Sequence, residues 1–311
     1  MTRTLSLLFV LTVLLLAGCD DTVDPIADSD RQMTLFATLD MDTDVQYIRV
    51  IPIRGTIASV DVDPSRYSVR STNLTNGEVL DWADTLITYP RGQVGLLFYA
   101  NTRVQPGHSF LIEATEEGSD LVTSAQTTVP ATPAITVEPE EVVETIGISG
   151  TNVRGSQTVT YDGLNAEPHL VEIWYRFLAS PYAPFVDIPV PLPAIRSYEG
   201  GRWSATLNLI TDRKNIGDTL NVNSYALMGI GVRITNLDDA FVPPGGVFDP
   251  EVLVQPGTMS NVTNGFGFVG AVARFDKEWA WNEESVRILG YRTPEDLFGK
   301  AGAQIAAKRI E

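Results

Sequence analysis

From Arg31 onward the apolar positions recur with a period of two. Met33-Thr34-Leu35-Phe36-Ala37-Thr38-Leu39 and Val45-Gln46-Tyr47-Ile48-Arg49-Val50-Ile51-Pro52-Ile53 alternate in this way and are rich in β-branched and aromatic residues, so both predict strands. Asp40-Met41-Asp42-Thr43-Asp44 between them predicts the turn of a hairpin. Further strands are expected at 66–70, 85–89, 94–99, 109–114 and 123–129, separated by Asn76-Gly77, Pro106-Gly107 and Glu117-Gly118. That spacing, without an amphipathic helix, predicts an immunoglobulin- or fibronectin-like β-sandwich over residues 31–131. Val129-Pro130-Ala131-Thr132-Pro133 reads as a stiff linker closing it.

The stretch 132–275 is again β-rich but has longer loops. Strands are expected at 146–149, 157–161, 170–178, 204–210, 219–224, 231–237 and 267–275, which a second β-sandwich or an open barrel would satisfy. In the tail, 276–311, Thr293-Pro294-Glu295-Asp296 is a helix start: a Thr cap, Pro in the first turn, then acids. The class expected is therefore all-β with short C-terminal helices.

The first residues do not belong to that body. Arg3 precedes the apolar run Leu5–Leu16, which is too short for the roughly 20 residues of a spanning helix and reads as the core of a signal peptide, residues 1–18. Leu16-Ala17-Gly18-Cys19 resembles a bacterial lipobox, so Cys19 is expected to carry lipid and to tie the chain to the outer membrane. Acyl chains contribute about 0.8 kcal/mol per buried CH₂ and hold a protein on a bilayer without a spanning segment. Residues 19–30 form an acidic tether that has too few apolar residues to pack. Acids directly behind the acylated Cys resemble the surface-export signal of Bacteroidota lipoproteins, and a solvated spacer is the other reading, so the cell surface and the periplasmic face both stay open.

Charge narrows the partners. The chain has 22 Lys+Arg against 39 Asp+Glu, a net charge of −17, and no basic run, which argues against nucleic acid. Its basic residues are 18 Arg and 4 Lys, and Asp outnumbers Glu, 22 to 17, a bias that resembles proteins of salt-loving bacteria. Cys19 is the one cysteine, so neither a disulfide scaffold nor a cysteine metal site is expected. The histidines are His108 and His169, and no Gly-x-Ser-x-Gly or His-Glu-x-x-His motif accompanies them. No catalytic residue and no cofactor is expected, with a carboxylate-dependent, glycoside hydrolase-like enzyme as the remote alternative.

A few motifs invite a function and also have a plain structural reading. Gly265-Phe266-Gly267-Phe268-Val269-Gly270 matches the dinucleotide fingerprint, yet Ala271-Val272-Ala273-Arg274-Phe275 continues as strand where a helix is required. Its glycines therefore read as a bulge, a bend or a close backbone approach. Asp40, Asp42 and Asp44 are weak candidates for a cation, but Val45 and Ile51 occupy the positions where an EF-hand needs Gly and Glu. In Val171-Glu172-Ile173-Trp174-Tyr175-Arg176-Phe177 the alternation buries Val171, Ile173, Tyr175 and Phe177 and leaves Trp174 outward between Glu172 and Arg176. Trp174, Tyr198 and Trp203 are the candidate residues of a carbohydrate- or peptide-binding surface. Pro181, Pro184, Pro189, Pro191 and Pro193 fit an edge strand or a docking loop.

Three places together resemble one family. They are the lipobox with its tether; Pro106-Gly107-His108-Ser109-Phe110-Leu111-Ile112-Glu113-Ala114 with Ser124-Ala125-Gln126-Thr127-Thr128-Val129-Pro130; and Ser260-Asn261-Val262-Thr263-Asn264-Gly265-Phe266-Gly267-Phe268-Val269-Gly270. They are similar to a Bacteroidota outer-membrane lipoprotein family of unknown function (domain of unknown function 4249), from whose pattern the chain departs at Val269, where an aromatic is usual. The resemblance implies an accessory envelope protein without known catalytic residues, bound to membrane lipid through acylated Cys19 and working beside a TonB-dependent outer-membrane transporter.

Overall fold

A computed structural model describes residues 31–53, 63–88, 90, 94–147, 150–241 and 260–309. The expected signal peptide, Cys19 and the expected tether lie outside the described residues. The chain is mostly β, with three sheets and a few short helices. Its first part contributes β1 (Met33–Asp40), β2 (Gln46–Pro52), β3 (Tyr67–Asn73), β4 (Val79–Asp81), β5 (Ala83–Thr88), β6 (Val94–Ala100), β7 (Ser109–Glu116) and β8 (Val122–Thr128). After the proline linker come β9 (Ala134–Val137), β10 (Glu141–Gly147), β11 (Gly150–Asp162), β12 (Leu170–Leu178), β13 (Phe185–Val190), β14 (Ile195–Glu199) and β15 (Arg202–Asn208). Helix α1 (Leu209–Thr219), β16 (Ala226–Leu237), β17 (Val262–Thr263), β18 (Gly265–Trp279), α2 (Glu283–Ile288) and α3 (Pro294–Ala307) complete the order.

The largest sheet has eight strands in the order β13-β12-β16-β18-β1-β2-β6-β5, four from each side of the linker. The division drawn at 131/132 falls between β8 and β9, and this sheet runs across it. The join is a parallel pairing of β1 with β18, from Met33 opposite Gly265 to Asp40 opposite Val272. Alternation makes one face apolar: Met33, Leu35 and Leu39 of β1, Ile48 and Val50 of β2, and Ile230, Val232 and Ile234 of β16 are all buried. Against that face lie the sheet β17-β8-β7-β3-β4 on the N-terminal side and the sheet β10-β11-β15-β14, with β9 paired to β11, on the other. The buried residues of all three sheets form one continuous core. Tyr161 of β11 spans the second interface, its hydroxyl donating to the Val232 carbonyl at 3.1 Å. Burying each such side chain contributes about 1.5–3 kcal/mol.

The glycines of the 265–270 motif make the join possible. Gly267 has φ 102°, and a Cβ on it would stand 2.0 Å from the Leu35 carbonyl oxygen of β1. A Cβ on Gly265 would stand 2.5 Å from the Met33 carbonyl oxygen, so the motif is the close backbone approach its glycines predict. Asn261 ties the same strand down: its amide donates to the Val269 carbonyl at 2.6 Å and accepts from the Val269 N–H at 2.9 Å.

Two expectations are corrected. The pattern predicts a strand over 219–224, but the chain forms helix α1 and a short 3-10 turn, Val222–Ser224. The Asn208 side chain accepts from the Thr211 N–H and caps α1, while Leu209, Asp212 and Ile216 bury one face of it. The last strand also runs beyond 275 to Trp279, because Lys277 and Trp279 still pair with Val232 and Ile230. In the tail, Thr293 and Asp296 form the reciprocal cap of α3 with Pro294 in its first turn, as their types predict. The proline-rich stretch supplies β13, at the edge of the large sheet, where Pro189 lies opposite Trp174.

Candidate functional site

The side chains that alternate away from the core put chemistry on the outer face of the large sheet. At its β13 end, β12 presents Glu172, Trp174 and Arg176, as the alternation predicts. Arg176 makes a two-point ion pair with Asp187 of β13, both contacts at 2.8 Å, and a further contact to Glu278 of β18. Arg233 of β16 pairs with Asp276 of β18 through two contacts at 2.7 and 2.6 Å. The hydrogen bond to Asp187 holds the Arg176 pKa above the ordinary guanidinium value, and the bond to Asp276 does the same for Arg233. Between these pairs lies the indole of Trp174, with the Arg233 guanidinium 5.8 Å from the ring centre. Gly231, opposite Trp174 in register, gives the ring its seat: a Cβ there would stand 2.1 Å from the ring carbons. Together these groups line a depression of about 250 Å³.

Toward the middle of the sheet the same face becomes richer in aromatic side chains. Phe36 of β1 and Tyr47 of β2 are 45% and 51% exposed and stand beside Leu97 and Phe268 around a depression of about 370 Å³. Thr38 and Arg49 complete the lining, so the two exposed rings sit beside polar groups on this face.

The remaining candidates are placed elsewhere. Trp203 is a correction: it is 4% exposed and packs edge-to-face on Tyr161 at 5.9 Å, in the core between sheets. Tyr198 lies opposite it on β14, half-buried, so neither joins Trp174 on a common surface. Asp40, Asp42 and Asp44 do not converge on a cation position. Arg274 bridges Asp40 and Asp42 at 2.9 Å each, and Arg103 takes Asp44 at 2.9 Å. Among the described residues no group of three or more metal-ligating side chains is gathered. His108 meets the Asn73 amide at 2.9 Å, and His169 starts its strand through a backbone bond to Thr235.

Sequence reasoning missed Arg233, Asp276, Glu278 and Gly231 as parts of the Trp174 groove. Gly231 and Arg233 sit on outward positions of an expected strand, whereas Asp276 and Glu278 lie beyond the strand end expected at 275, and which strands are neighbours was not legible. It also missed a buried acid. Asp212 of α1 accepts from the Tyr175 hydroxyl at 2.7 Å, and burial pushes its pKa up to about 6 against the smaller opposing effect of that bond. Arg213 lies over the neighbouring Tyr291 ring at 5.0 Å, and its guanidinium donates to the Gly290 carbonyl at 3.1 Å. Asp212 is only 7% exposed, so its charge acts on stability. No protein-family model matches this chain, and no curated protein matches it.

Proposed function

We propose that the chain is a non-catalytic, lipid-anchored component of the cell envelope that binds a membrane neighbour, such as a TonB-dependent outer-membrane transporter, through the outer face of its large sheet. The observation that carries this reading is the exposed aromatic patch of Phe36 and Tyr47 on β1 and β2. Strand β1 starts two residues after Arg31 and lies inside the sheet, so a lipid on Cys19 leaves only the short tether between bilayer and patch. With random-coil dimensions, a segment of that length would reach about 5–6 Å × √n, or roughly 20 Å, and would hold the patch close to any protein in the same membrane. High local concentration then makes a modest surface sufficient for binding. Asp187, Glu278 and Asp276 of the groove are held in ion pairs by Arg176 and Arg233, which supports a binding role over work as a free general acid and base.

The test uses the full precursor expressed in a Gram-negative host. Palmitate fed to the cells is expected to label the chain at Cys19, and mild detergent to release it together with an envelope protein. Phe36→Asp with Tyr47→Asp is expected to lose that companion while labelling and melting temperature stay unchanged. An unlabelled chain, or a labelled chain that runs alone at every detergent and salt concentration, overturns the reading.

A further inference from the structure

The Trp174 groove is built differently from the aromatic patch, and its construction selects a ligand. Strand β12 is interior to the sheet, with β13 on one side and β16 on the other, so an extended peptide finds no backbone edge to extend. Recognition there has to run through side chains on the face. The two arginines beside the indole are already satisfied, Arg176 by Asp187 and Glu278 and Arg233 by Asp276. An anionic ligand would have to displace a carboxylate at the cost of a charge-assisted pair, and it would meet four groove carboxylates, Glu172 among them, against two guanidinium groups. A neutral ligand displaces no partner, and a cationic one, which could meet Glu172, is the competing outcome of the test below.

What the groove offers such a ligand is a flat apolar ring, seated over Gly231, rimmed by carboxylate oxygens with lone pairs beyond those the arginines use. A pyranose ring has the complementary design: one face of C–H groups and a rim of hydroxyl donors. We infer that the groove binds a neutral glycan, one sugar ring stacked on Trp174 with its hydroxyls donating to Asp187, Asp276 and Glu278. The volume of about 250 Å³ falls just below the roughly 300–1,000 Å³ usual for small-ligand sites and suits one or two sugar units of a longer chain. This site depends neither on Cys19 nor on the Phe36 and Tyr47 patch.

Affinity electrophoresis of the full lipidated chain in mild detergent tests it, in native gels cast with mannan, galactomannan, xyloglucan, laminarin or hydroxyethyl cellulose. At least one of these is expected to retard the protein. Trp174→Ala is expected to weaken retardation at least tenfold, Trp174→Tyr to keep most of it, and Phe36→Asp to leave it unchanged. If Trp174→Ala does not fold, Asp276→Asn, whose side chain is half in solvent, is expected to weaken retardation in its place. No retardation by any of the five, undiminished retardation of the folded variant, or retardation by polylysine or hyaluronan only overturns the inference. Loss of the envelope companion with glycan retardation intact, or the reverse, separates failure of one reading from failure of the other.

Discussion

Replacing Asp212 by Asn isolates one buried charge and gives a pH dependence of known sign. The carboxyl is 7% exposed and takes a hydrogen bond from Tyr175, so an amide oxygen can keep that bond. Burial raises the folded pKa from 3.8 to about 6. Between these values the folded chain holds a proton that the unfolded chain has released, so stability from this group falls as pH rises through the window. About two pH units at about 1.4 kcal/mol each gives a cost of about 3 kcal/mol, fully present above pH 6 and absent below about pH 4. The amide of the Asp212→Asn variant has no charge to bury. Urea unfolding of wild type and variant at matched pH should therefore show equal stability near pH 3.5 and a gain for the variant approaching about 3 kcal/mol at pH 7.5. Taking the difference between the chains cancels the many surface carboxylates they share. A difference that stays flat across this range refutes the buried-charge argument.

Other substitutions test the packing. Gly267→Ala puts a methyl against the Leu35 carbonyl at a φ that side chains rarely adopt, and should lower stability by about 3 kcal/mol or more in urea unfolding. Asn261→Ala leaves the Val269 N–H and carbonyl without their side-chain partners and should cost about 1–3 kcal/mol, read as a shift of the urea midpoint. Trp203→Ala opens a hole beside Tyr161 and should cost about 3–5 kcal/mol while leaving any glycan retardation of the folded protein unchanged, the opposite pattern to Trp174→Ala.

Much of the fold is written in the period of the chain. Leu170–Leu178 forms a strand with the bounds and the buried face that alternation gives, which is why Trp174 points outward as expected. Trp203 was readable in the same way: in Arg202-Trp203-Ser204-Ala205-Thr206-Leu207 it alternates with Ala205 and Leu207, and all three are buried. Helix α1 was not readable, because its polar run Thr211-Asp212-Arg213-Lys214-Asn215 has a weak apolar face, and its position is set by the Asn208 cap and by the packing of Leu209 and Ile216. Least legible were the long-range pairings: that of β1 with β18, which joins segments more than two hundred residues apart, and those of β16 with β12 and β18, which bring Arg233, Asp276 and Glu278 into one groove with Trp174. Long-range pairing leaves no trace in a local pattern beyond the glycines that permit it.

The claim that the aromatic face of the large sheet meets an envelope partner is tested most directly by photo-cross-linking in intact cells. A benzoylphenylalanine replaces Tyr47 in one strain and Tyr182, which is 81% exposed near the β13 edge, in another. Irradiation is expected to give one discrete membrane-bound adduct from position 47 and none from position 182. A silent position 47, or equal adducts from both, contradicts the account.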